Sequence, residues 1–150
     1  MSSLRLDVSL VPPTDAVAQQ ALEASRLLAA GDRANAERLY REAAAMPGAG
    51  ASGLVNLAAL AIGLGDAQAA RGHAMRVVQA DRTNADAWLN LGAASWHVEM
   101  RRDGAQCTHR ALELSPGMEA AALNLNLMHQ AVGKPAQARG VLAAALPRNP

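Results

Sequence analysis

Apolar residues recur three and four positions apart along most of the chain, and the stripes are interrupted at regular intervals by Gly-Asp or Pro-Gly steps. This spacing predicts short amphipathic helices arranged in pairs. After Pro12-Pro13, Thr14 or Asp15 caps a first helix whose pattern runs to Ala30, and Gly31-Asp32 supplies a stop and a new cap. A second helix over 34–46 is closed by Pro47-Gly48-Ala49-Gly50, and the same grammar restarts at Ala51. Gly65-Asp66 divides the second pair, and Gly133 with Pro135 divides the fourth. The third pair departs from the rule, with Glu99-Met100 at the dividing place.

The pairs repeat at a shift of 34 residues, giving units 17–50, 51–84, 85–118 and 119–150 preceded by a leader, 1–14, expected to be flexible. The clearest copy is 84–116, which opens on Asn84 and ends at Ser115-Pro116. Small residues recur at the twentieth place (Ala36, Ala70, Gly104, Ala138) and mostly at the twenty-seventh (Ala43, Val77, Ala111, Ala145), where helices approach closely. The seventh place is Leu57, Leu91 and Leu125 but Glu23 in the first unit, as expected of an edge without a predecessor.

Composition agrees. Half of the residues are apolar, mostly Ala and Leu, with no Phe and one Tyr, which favours closely packed helices over strands. A formal net charge of +1 disfavours nucleic acid and anionic membrane as partners. The longest charge-free apolar stretch, 51–64, is too short to span a bilayer. The single cysteine, Cys107, excludes an internal disulfide framework and fits a reducing, cytoplasmic compartment.

The period of 34, two helices per unit, and Trp88, Leu91, Gly92, Gly104, Ala111 and Pro116 at their mutual spacings resemble the tetratricopeptide repeat family. The resemblance covers 17–150 and is strongest in the third unit; the others lack the Trp and carry Ala24, Ala58 and Asn126 in place of the eighth-position Gly. It implies an all-α fold, an α-solenoid of four antiparallel helix pairs with a right-handed superhelix. It also implies that the first helix of each pair lines a concave groove. Carried onto this chain, the groove positions include Asn56, Asp86, Leu89, Asn90, Trp96, His97, Leu123, Asn124 and Gln130.

Asn56, Asn90 and Asn124 recur at the repeat spacing inside helices, where Asn is a poor helix former. A carboxamide both donates and accepts, so a ladder of three holds the backbone of an extended peptide without reading its side chains. Helices ~10 Å apart and a chain advancing ~3.3 Å per residue place one rung at about every third residue. The competing reading has each Asn bonding a neighbouring helix and holding the stack. The ladder resembles that in the superhelix of O-GlcNAc transferase, which implies substrate-peptide capture. The carboxylate clamp of chaperone-binding repeats is excluded, because the fifth and sixth places carry Val55, Leu89, Leu123 and the asparagines rather than cations. Trp96 stands as an aromatic anchor facing the groove or, equally, folded over a neighbouring helix.

His73, His97, His109, His129 and Cys107 fall at unrelated places of the repeat, so no catalytic residue, metal site or cofactor is expected. The primary expectation is a protein-interaction scaffold that binds an extended peptide or partner segment. Two alternatives accompany it. One is the substrate-recruiting part of a larger transferase, with a missing downstream domain. The other is a homo-oligomer formed through an uncapped last helix over 135–146, which carries Val141, Leu142, Ala145 and Leu146.

Overall fold

A computed structural model describes residues 4–145, which places Leu146 outside the described residues and leaves the side chain of Ala145 undescribed. Eight helices account for the regular structure of that span: α1 Ala16–Ala29, α2 Arg33–Ala45, α3 Ala51–Gly63, α4 Ala67–Ala80, α5 Ala85–His97, α6 Arg101–Leu114, α7 Glu119–Ala131 and α8 Pro135–Ala145. Each odd-numbered helix packs on the even-numbered helix that follows it, and α1, α3, α5 and α7 pack in succession. The result is an α-solenoid.

The helix boundaries follow local chemistry. Asp15, Asp32, Asp66 and Asn84 cap α1, α2, α4 and α5 by accepting a backbone N–H from the first turn. Each first helix of a pair ends in the same left-handed residue, Gly31, Gly65, Glu99 or Gly133, with φ of 90°, 86°, 67° and 76°. Around it run the same two reversed hydrogen bonds, such as Gly65 N–H to Ile62 O and Asp66 N–H to Ala61 O. The irregular step at Glu99 is therefore regular in backbone: Glu99 and Met100 N–H donate to Trp96 and Ser95 O like their counterparts. What the third unit lacks is a glycine for the turn and a side-chain cap, since Met100 provides none for α6.

Burial separates the two kinds of helix. Along α3 every residue from Ser52 to Ala61 is buried, because its flanks are covered by α1, α4 and α5. The outer helices bury only a stripe, such as Ala70, Ala74, Val77 and Val78 in α4 or Gly104, Thr108 and Ala111 in α6. In the third pair the backbones nearly touch. A Cβ on Gly92 would collide with Thr108 Oγ1 and lie 2.9 Å from Gly104 O, so the small residues at these places set the approach of α5 to α6.

Fifth-place residues pack against the next unit: Val55 shares a core with Ala87 and Leu91, and Leu89 one with Ala111 and Ala121. Leu123, at the same place of the last unit, is 37% exposed. Arg76, Arg101, Arg102, Arg110 and Arg139 are exposed on the outer helices, leaving the inner face poor in charge.

Candidate functional site: the concave groove

The concave face is not open. In place of a flexible leader, residues 4–14 run without helix or strand pairing across the inner helices, from α7 back to α1. Three carboxamides hold this segment. Asn124 Oδ1 accepts from Asp7 N–H at 2.8 Å while its Nδ2 donates to Asp7 O at 2.8 Å. Asn90 makes the same pair with Ser9 (2.7 and 3.0 Å), and Asn56 with Val11 (2.8 and 3.0 Å).

An extended residue presents its N–H and C=O to one side, and its neighbours present theirs to the other. Bonding at 7, 9 and 11 is thus what a straight strand offers. The ladder plays the part of an adjacent strand built from side chains. Its step is two residues, about 6.8 Å, rather than the three expected from axis spacing.

The same amides also tie the helices together. Asn90 Nδ2 donates to Val55 O at 3.1 Å and Asn56 Nδ2 to Ala18 O at 3.4 Å, each a carbonyl of the preceding inner helix. Asn56 and Asn90 therefore bond the leader and the preceding inner helix at once, one proton of the amide going to each. All three asparagines are 0–1% exposed, so each polar atom needs a partner here.

The leader is anchored where it enters α1. Thr14 N–H and Oγ1 reach Ser52 Oγ at 3.0 and 2.8 Å. Asp15 caps α1 through Ala18 N–H and also accepts from Gly50 N–H, Gly53 N–H and Ser52 Oγ, supplying the cap that Gly50 cannot give α3. Burial opposes its ionisation, but these four bonds together hold its carboxyl below the ordinary 3.8.

Other candidate residues are placed differently from expectation. Leu89 is fully buried in the α5–α6–α7 core and offers nothing to a ligand. Trp96 is only 6% exposed, with the Arg101 guanidinium 5.4 Å from its ring centroid, so it is packed rather than presented as an anchor. Leu123 lies on the end face. Asp86 and His97 are half-buried, and burial lowers the His97 pKa. Gln130 is exposed and donates to Asn126 Oδ1. Val141 and Leu142 are half-buried on α8.

The remaining titratable groups are scattered. His73 bonds the Tyr40 hydroxyl at 2.9 Å, and its pKa is lowered by burial and Arg76. His109 and His129 share a pocket of about 310 Å³ between α6 and α7, a meeting that their separation in sequence conceals. Cys107 is half-buried, and burial followed by Asp103 pushes its thiol up to about 11. Among the described residues no three His, Cys, Asp or Glu side chains gather as metal ligands, and no helix is long and apolar enough to cross a membrane.

Sequence reasoning missed the leader, although a signal was present. Leu4-Arg5-Leu6-Asp7-Val8-Ser9-Leu10 alternates apolar and polar residues with the period of a strand. Burial follows this alternation over 4–8, with Leu4, Leu6 and Val8 half-buried and Arg5 and Asp7 exposed, and departs from it at Ser9, half-buried, and Leu10, exposed.

No family model and no curated protein matches the sequence. Solved structures do resemble it. MamA residues 41 to end from Desulfovibrio magneticus RS-1 superposes with a TM-score of 0.71 at 17% identity, over 86% of this chain and 73% of that one. YrrB, described as a TPR protein with an unusual peptide-binding site, gives 0.67 at 15% identity over 87% and 67%. The first TPR of Spaghetti (RPAP3), solved with an HSP90 peptide, gives 0.62 at 21% identity over 76% and 94%. The chain has the tetratricopeptide repeat fold, an α-solenoid of four helix pairs.

Proposed function

We propose that the chain is a protein-interaction scaffold that holds an extended segment of a partner along its concave face, with no catalytic role and no cofactor. The observation that carries this reading is the ladder itself. Three carboxamides one repeat apart each make a two-bond contact to the backbone of alternate residues of an extended segment. Two of the structural neighbours are described by their peptide binding, which supports the same use of the fold. A cytoplasmic setting is the companion reading, in keeping with a half-buried free thiol.

Six hydrogen bonds at ~1 kcal/mol net each amount to about 6 kcal/mol. Ordering five backbone residues costs about 1–2 kcal/mol apiece. The ladder alone therefore fixes register and direction, and apolar side chains between the rungs supply the affinity.

The test is a peptide array probed with the Ser9→Pro chain, whose leader has lost its N–H bond to Asn90, and with the same chain carrying Asn90→Ala/Asn124→Ala. Binding should weaken at least tenfold across all bound sequences alike, with circular dichroism showing the helices retained. Unchanged binding by the folded double variant sinks the reading.

A second reading, self-association through the last pair, is favoured by Leu123 and Val132, which are 37% and 46% exposed on that end. Light scattering over a concentration range tests it, and a strict monomer removes it.

A further inference from the structure

We propose that residues 4–13 are a resident competitor for the groove, so that a partner segment binds by displacing them; the proposal rests on the groove being a peptide-binding surface. Four observations point this way. The ladder touches only backbone at Asp7, Ser9 and Val11, so any extended segment with free N–H groups at three alternate positions is an equivalent occupant. The leader sits on the groove rather than in the core: none of residues 4–14 is fully buried, whereas all three asparagines beneath them are.

The leader also fits imperfectly. Leu10 is 44% exposed beside an open pocket of about 230 Å³ formed by Val8, Leu10, Ser25, Leu28, Ala59 and Leu60, among others. A partner with a bulkier apolar residue at that register buries surface that the leader leaves exposed. Finally, the attachment is independent of the ladder. Thr14 and Asp15 are fastened to Ser52, Gly50 and Gly53, so residues 4–11 can lift away about Pro12-Pro13 without uncapping α1 or α3.

The partner implied is an extended protein segment that runs with its N-terminal end towards α7, carries no proline at the three bonded positions, and presents a large apolar side chain where Leu10 lies. A tethered leader acts at an effective concentration of ~mM. Weak segments are therefore excluded, and only those that outfit the leader enter.

The experiment uses full chains and a fluorescent peptide of residues 4–13, read by anisotropy. In the Ser9→Pro chain the leader loses its central N–H donor and the groove is untouched. That chain should bind the peptide at least tenfold more tightly than the parent, and a peptide carrying Leu10→Trp should bind more tightly still. Asp7→Pro, which breaks the register at the other end, should give a gain in the same direction. Equal affinity of the parent and both proline chains overturns the competitor. If no chain binds either peptide while all melt as the parent does, the groove reading itself fails. A parent that dimerises with concentration, and that loses the dimer on Ser9→Pro, places the leader in a second copy and overturns occupation within one chain.

Discussion

Replacing Glu99 by Gly should stabilise the protein. Glu99 has φ of 67° at the place where the other three units use Gly31, Gly65 and Gly133. An L-residue in that region carries a cost of about 1–2 kcal/mol. Against this, glycine gives the unfolded chain more freedom, worth about 0.4–1 kcal/mol. The substitution also removes the contact of Glu99 with Arg101, which at 3.6 Å and largely exposed contributes little. The balance is a gain of about 0–1.5 kcal/mol, centred near 0.8. For a chain of this size that raises the thermal midpoint by about 2–4 °C per kcal/mol. A melt followed by circular dichroism reads it directly, with Gly65→Ala as the converse and an expected loss of similar size. A midpoint that falls for Glu99→Gly, or a Gly65→Ala chain that melts no lower than the parent, refutes the equivalence of the four turns.

Two further outcomes follow from the same geometry. Asp15→Ala removes caps from two helices at once and should cost about 1–3 kcal/mol in denaturant unfolding, more than any single cap. Because its folded pKa lies below the ordinary 3.8, its contribution is present above that value and is lost as pH falls through the folded pKa, so the parent and the variant should converge in acid. Cys107, with its thiol raised from 9.0 to about 11, should react with a thiol reagent about tenfold more slowly than an unperturbed cysteine, and faster only after unfolding.

The repeat was legible because helix pairs of constant length leave a strict 34-residue recurrence, and the inner helices do begin at Ala51, Ala85 and Glu119. Individual side chains were less so. Position along a helix assigns a face but not a neighbour, and Leu89 and Trp96 share the groove-facing stripe while α7 or Arg101 covers them. Glu99 hid its turn because the residue departs from the pattern and the backbone does not. The leader lies outside the 34-residue recurrence, and the alternation over 4–10 is the one local sign of an extended segment there. The asparagines stand out by recurrence, and the structure adds that Asn56 and Asn90 bond both the leader and the preceding helix.

Amide hydrogen exchange along the leader addresses the ladder most directly. If the ladder holds an extended backbone in a two-residue register, the amides of Asp7, Ser9 and Val11 exchange more slowly than those of Leu6, Val8 and Leu10, and in Asn90→Ala the protection of Ser9 disappears. Uniform exchange of all six at the rate of an unstructured peptide contradicts the account.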